Sequence, residues 1–346
     1  VSDEVDDSGE RPLSVPRETF SFFGHEAAEQ ALLDSYRSGR IAHAWLIGGP
    51  AGIGKATLAY RMARFVLAHP DPTGKAVQSA PSLAVGPEEP AGRRIAAQAH
   101  PDFFVLQRVP DDKGKLYTVI RVEDTRRLAR FLGSTAGEGG WRVVVVDSAD
   151  ELNASSANAL LKALEEPPPQ TLFLLVSHSP GRLLPTIRSR CRMLTLRPLA
   201  PEQVGQAAAT ALGRGPGDTD IREAAAASEG SVARALALLD GDALKFRQTL
   251  GRLLDRLPEV DAMALHAVGD KVNGNDRADF EIAVDAVNGW LSRRLRDQTA
   301  DSARMARFAS AFEQINRSAR EAIAFNIDKK PLMFSIFGVL AEAARG

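Results

Sequence analysis

Gly49-Pro50-Ala51-Gly52-Ile53-Gly54-Lys55-Ala56-Thr57 follows the apolar run Ala44-Trp45-Leu46-Ile47 and precedes a helix-like stretch, Leu58 to Val66. A strand, a glycine-rich loop and a helix form the context in which a phosphate-loop match is credible. Backbone N–H groups of such a loop, with the helix N-terminus, form an anion cradle, and the lysine reaches the phosphates. Gly49, Gly52, Gly54 and Lys55 are therefore candidate nucleotide-binding residues. The motif wants Ser or Thr directly after the lysine, to hold magnesium. Here that position is Ala56. Thr57 lies one residue, about 100° of helix, further round and is a poor substitute. The loop thus reads first as a fold element. Independent hydrolysis is not expected, and ATP or ADP is held weakly or not at all.

Trp141-Arg142-Val143-Val144-Val145-Val146-Asp147 is the second strong signal. Four consecutive valines suit a strand buried on both faces of a parallel sheet. Asp147 then lies at the carboxyl end, in the crevice where ligands bind, at the place of a magnesium-directing aspartate. Phe103 to Leu106, Thr171 to Val176 and Cys191 to Leu196 read as further strands, with Ser177-His178-Ser179 closing the Thr171–Val176 strand. Helical periodicity runs through His25–Ser38, Asp124–Leu132, Ser155–Glu165 and Leu183–Arg190. Residues 111–115 read as a turn and 117–122 as an extended run. Residues 68–98, with five prolines at 70, 72, 81, 87 and 90, read as an irregular insertion or partly mobile loop. The lone His43 reads as structural, Asp150 as a helix cap and Cys191 as a buried small hydrophobe.

Pro198 and Pro201 mark a change, after which the chain reads as wholly helical. Short helices over 202–212, 221–227 and 231–239 precede longer amphipathic patterns at 244–257, 280–295, 305–325 and 332–343. The expected division is a disordered acidic tail at 1–18, an α/β domain at 19–198, a small helical domain at 199–242 and a helical domain at 243–346. Of the 346 residues, 44% are apolar and 25% charged, which suits a globular protein rather than a disordered one. The formal charge of -1 excludes a global electrostatic footprint for nucleic acid. One cysteine excludes an internal disulfide framework and a multi-cysteine metal site. No apolar run approaches the length of a membrane span, and the start shows no basic region followed by a hydrophobic stretch. A cytoplasmic protein with no membrane partner is expected.

Gly49–Thr57, Val143–Asp150, Ala157-Asn158-Ala159-Leu160-Leu161-Lys162-Ala163-Leu164-Glu165-Glu166-Pro167-Pro168 and Ser189-Arg190-Cys191 together resemble the bacterial DNA polymerase III clamp-loader subunits, which are AAA+ proteins. The glutamate-proline run and the Ser-Arg-Cys run, at this separation, are far more specific than the phosphate loop alone. The resemblance implies an α/β AAA+ phosphate-loop domain (a parallel sheet with flanking helices), then a helical lid and a C-terminal helical collar domain. It is clear over residues 20–230 and rests on domain order and length beyond.

Within that family the motor subunits carry Thr where this chain has Ala56, and Asp-Glu where it has Asp147-Ser148. The missing glutamate is the group that polarises the attacking water, and a serine is no base at neutral pH. The first-sensor position falls near His178. The second-sensor arginine falls near Ala233, with Arg234 one residue late. The pattern resembles the stator-like delta-prime branch. The resemblance implies that Arg190 is an arginine finger offered in trans to a neighbour's ATP, with Arg188 a lesser candidate at the same interface. It implies motor (tau/gamma) and delta subunits as partners in a hetero-oligomeric ring, with the sliding clamp and primed DNA met through the complex. DNA-backbone candidates are Arg121, Arg126, Arg127 and Arg130, against the simpler reading of a solvated face; Arg293, Arg294 and Arg296 suit a collar contact. Many family members hold zinc with four cysteines ahead of a His-Pro-Asp run. Here the interval before His100-Pro101-Asp102 has no cysteine, His69 and His100 alone make no site, and no zinc is expected, with a loop or local helix in place of that module. Two other classes stay open. One is an AAA+ ATPase with relaxed motifs, using Ser148 or His178 to position water. The other is a nucleotide-sensing interaction module unrelated to replication.

Overall fold

In the computed structural model, which describes residues 15–111, 116–137, 140–273, 277–297, 302–325 and 327–345, the valine run forms β3 (Arg142–Val146), buried at every position. It sits in a five-stranded parallel sheet with β1 (Ala44–Gly48), β2 (Phe103–Leu106), β4 (Thr171–Ser177) and β5 (Arg192–Thr195), in the order β2-β3-β4-β1-β5. Alternate side chains serve opposite faces. Trp45, Ile47, Val143, Val145, Leu172 and Leu174 pack against α1 (Glu26–Arg37) and α2 (Lys55–Ala68). Ala44, Leu46, Val144, Val146, Phe173 and Leu175 face the other side. There they meet helical residues that include Leu128 and Leu160. Both faces are covered, so the central strands have no polar side to show in sequence.

The segment at 68–98 is not the irregular or mobile loop its prolines suggest but the local-helix alternative. It holds α3 (Lys75–Ser79) and α4 (Pro90–Ala96), and Val77, Leu83 and Ile95 are buried in the main core. Pro90 stands in the first turn of α4, where a missing N–H costs no intrahelical bond. The Arg37 guanidinium donates to Val77 O and Ala80 O, and Leu83 N donates to Glu29 Oε1. Of the extended run expected at 117–122, only an isolated bridge from Ile120 to Leu152 is present. α5 (Val122–Gly133) starts earlier than expected. The turn expected at 111–115 lies, apart from Asp111, outside the described residues. So do residues 1–14 of the expected tail, whereas Pro16–Glu18 form a 3-10 turn with Val15 and Arg17 buried.

After α6 (Ala154–Glu165), the helix expected at 183–190 shrinks to α7 (Pro185–Arg188). Then come α8 (Pro201–Leu212), α9 (Thr219–Ala227) and α10 (Val232–Leu239). Two compact units divide the chain, Val1–Leu236 and Ala237–Gly346. The second contains α11 (Ala243–Asp255), α12 (Ala262–Val272), α13 (Arg277–Asp297), α14 (Ser302–Ala324) and α15 (Lys329–Arg345) around Phe246, Leu250, Trp290, Phe308 and Phe337. α12 was not among the expected patterns. Among the described residues no helix is long and apolar enough to cross a membrane.

Candidate functional site

The carboxyl ends of β1, β3 and β4 bring the glycine loop, Asp147 and His178 to one edge of the sheet. The loop needs its glycines. Gly49, Gly52 and Gly54 have φ of +147°, +73° and +99°, where a Cβ is strained. A Cβ on Gly49 would lie 2.5 Å from Leu196 O. Gly54 caps α2 in the left-handed conformation, so the first free N–H groups of that helix face the loop. A cavity of about 640 Å³ opens there. Gly52, Gly54, Lys55, Ala56, Thr57, Asp147, Ser148 and His178 line its polar end. Phe20, Phe22, Ala207, Ala211 and Leu236 supply apolar wall.

Lys55 is buried, and its Nζ donates to Pro50 O of the same loop. Burial lowers its pKa to about 8, against the opposing pull of the Asp150 and Asp147 carboxylates. Burial, and then the nearby Lys55 charge, also lower the His178 imidazole. Asp147 N donates to Leu106 O at 2.9 Å, which fixes the strand end. Ser148 is left-handed (φ 61°), and its Oγ lies 3.4 Å from His178 Nε2. Asp150 corrects the expectation of a cap on its own helix. Its carboxylate accepts from Ser177 Oγ (2.8 Å), His178 N (2.5 Å) and Ser179 N (3.2 Å), bracing the end of β4.

Gly52, Gly54, Lys55 and Asp147 therefore meet around one cavity. Arg190 is elsewhere. It follows α7, outside the cavity wall, with its side chain about one-third exposed. Its Nη2 donates to Glu165 Oε1 at 2.7 Å and its Nη1 to Thr186 O at 3.0 Å. Glu165 ends α6, so the glutamate-proline run and the Ser-Arg-Cys run are one surface feature. Cys191 packs against the core beneath, and burial pushes its thiol up to about 11, far from a nucleophile's range. Arg126, Arg127 and Arg130 are exposed on α5, while Arg121 stacks 4.0 Å from the Tyr117 ring. In the second unit, Arg294 stacks over Trp290 at 5.2 Å. Among the described residues no group of three or more His, Cys, Asp or Glu could hold a metal ion.

Three contributors escaped sequence reasoning. His25 Nε2 lies 2.9 Å from Ile53 O. Ala233 N donates to Gly52 O at 3.2 Å, while Arg234 turns away to Glu229 at 3.0 Å. The segment 15–23 lines the cavity, held by Arg64 through Pro16 O and Thr19 O and by Arg61 through Phe20 O. For this segment the sequence offers two signals, Phe20, Phe22 and Phe23 as the start of packed structure and the arginines at 61 and 64 within a mostly apolar helix.

A family profile described as "DNA polymerase III, delta subunit" matches residues 24–200, just over half of the chain. The chain is 45% identical over 164 residues to DNA polymerase III subunit delta' of Pseudomonas aeruginosa, covering 47% of this chain and 46% of that one. It is 36% identical over 227 residues to the Escherichia coli subunit of the same name, covering 65% and 63%. It is 29% identical over 259 residues to DNA polymerase III subunit tau of Escherichia coli, covering 72% and 38%. The chain spans about half the length of the curated relatives it matches first, somewhat more for the second.

Proposed function

The chain belongs to the bacterial DNA polymerase III delta-prime/tau–gamma family of clamp-loader-related AAA+ proteins, and from that premise we propose that it is a delta-prime-like subunit that assists hydrolysis at a neighbour's site without turning over ATP itself. The observation that carries this is a separation. The chain's own cavity has Ala56 and Ser148 where hydrolysis needs a hydroxyl and a glutamate, while Arg190 stands on the surface outside it. In this reading residues 199–242 act as a lid and 243–346 join a collar with motor and delta subunits. ATP on the motor lets the ring open the sliding clamp and place it on primed DNA. Nucleotide in the cavity at Lys55 and Asp147, if bound, is ballast.

The Glu165 pair does not stand in the way. An ion pair this exposed contributes only about 0–1 kcal/mol. A γ-phosphate of higher charge competes for the guanidinium easily. Arginine fingers in other phosphoryl-transfer systems are worth ~10³ to 10⁵ in rate.

The test is DNA-stimulated ATP hydrolysis by the reconstituted complex, wild type against Arg190→Ala, with the isolated chain as background. A silent isolated chain and a clear rate loss in the mutant complex, at unchanged assembly, are expected. A mutant complex as fast as wild type sinks the finger. Turnover by the isolated chain, abolished by Lys55→Ala, favours the relaxed-motif ATPase, for which the Ser148–His178 pair is the available water-positioning group. Failure to associate with motor and delta subunits favours a separate sensing module.

A further inference from the structure

Glu165 stands where a helix least favours a carboxylate. It is the last residue of α6, and the partial negative charge of the C-terminal carbonyls opposes it. Glu166 follows at the cap and adds a second acid. What Glu165 gains is Arg190, whose Nη2 donates to its Oε1 at 2.7 Å. A local rule broken in this way points to a use beyond the helix.

The pair is mounted on one piece of core. Leu164, beside Glu165, and Ile187, in α7, are each 1% exposed and belong to a single apolar cluster, against which Cys191 also packs. The backbone at Arg190 is pinned as well, with Arg190 N donating to Ile187 O at 3.1 Å and Cys191 N to Arg188 O at 3.3 Å. The guanidinium has a second hold. Thr186 O accepts from Nη1 at 3.0 Å and from Ser189 Oγ at 3.1 Å, and that hydroxyl lies 3.5 Å from Nη1. An arginine side chain is rich in rotamers, and meeting a phosphate costs it most of that freedom. Here acceptors on two elements remove the freedom in advance. A guanidinium has five N–H donors. Glu165 and Thr186 take one on each Nη. A phosphate competing for this group therefore has the Nε–H and the second N–H of each Nη to take while Glu165 stays in place.

We propose that Glu165 is a positioning residue: with Thr186 O it holds the Arg190 guanidinium in one pose, so that the arginine meets a neighbour's nucleotide already ordered. The inference rests on the reading of Arg190 as a finger supplied in trans. The useful part of Glu165 is its acceptor oxygen, since its charge opposes a phosphate.

The test is DNA-stimulated ATP hydrolysis by the reconstituted complex carrying Glu165→Ala, Glu165→Gln, Arg190→Ala or Glu165→Ala with Arg190→Ala, with kcat and KM read separately. At unchanged assembly, Glu165→Ala should lower kcat about threefold to tenfold, the scale of ordering one long side chain. KM for ATP should stay within about twofold, because the finger acts on the transition state. Glu165→Gln keeps an acceptor at the same reach and should recover the wild-type kcat or exceed it. The double variant should be no slower than Arg190→Ala alone, because Glu165 acts only through Arg190. The melting temperature of the isolated Glu165→Ala chain should stay within about two degrees of wild type, the lost exposed pair and the relieved helix end being of similar size. A large fall in that temperature would mark Glu165 as structural and overturn the proposal. So would Glu165→Ala at or above the wild-type rate while Arg190→Ala is slow, Glu165→Gln as slow as Glu165→Ala, or a double variant slower than Arg190→Ala. An Arg190→Ala complex as fast as wild type overturns the finger and the positioning with it, so the two failures read differently.

Discussion

Lys55 carries a conflict that a single residue can report. Its ammonium is buried beside its own loop, and its pKa falls from the ordinary 10.5 to about 8. The unfolded chain therefore holds that proton more tightly than the folded one. The result is a cost to stability that is fully present below about pH 8 and fades as pH rises toward the unfolded value. Discounted for partial solvent screening, it is about 1–2 kcal/mol at neutral pH. Lys55→Met should therefore raise the melting temperature by several degrees at pH 7, and the gain should shrink by pH 10. A gap between variant and wild type that is the same at both pH values would show that burial of charge is not the cause. Nearby, three donors converge on the one Asp150 carboxylate and brace the end of β4.

At the scale of elements, the segment between α2 and β2 is instructive. α3 and α4 have five and seven residues, too short for a periodic apolar stripe to show. The prolines that read as punctuation start a helix or shape a turn. Besides Arg37 and its buried side chains, Glu29 on α1 ties the segment down. One of its oxygens accepts from both Arg61 Nε at 2.5 Å and Leu83 N at 2.9 Å. Glu29→Ala leaves the buried Arg61 without this carboxylate, and breaking a buried pair costs about 3–5 kcal/mol. Urea unfolding should show that loss, and limited proteolysis should then cut within residues 70–99 before the sheet. Cleavage at the wild-type rate would mean that the Arg37 bonds and the apolar side chains anchor the segment without Glu29.

For the molecule as a whole, each unit carries a core of its own. The second unit buries Phe246, Trp290, Phe308 and Phe337. It also sets a reciprocal amide pair between α13 and α14, Asn288 with Asn316 at 2.9 and 3.0 Å. A polar pair inside a helix interface favours one register over its neighbours. Residues 237–346 expressed alone should thus keep their helical circular dichroism and melt in one cooperative transition. A broad, non-cooperative melt would show that this core is insufficient by itself.

The sequence by itself determined the parallel sheet, the glycine loop, Asp147 at a strand end and the position of Arg190 in a specific run. These are legible because they depend on local patterns: buried strands need unbroken apolar runs, and a positive φ needs glycine. Only the tertiary structure decided that Arg190 and Glu165, 25 residues apart, form one surface pair. It alone placed Ala233 on Gly52 and His25 on Ile53, and turned residues 68–98 into packed helices. Contacts of this kind join segments far apart in the chain. A backbone carbonyl carries no residue-specific mark, so nothing in the string of letters announces which distant donor will reach it.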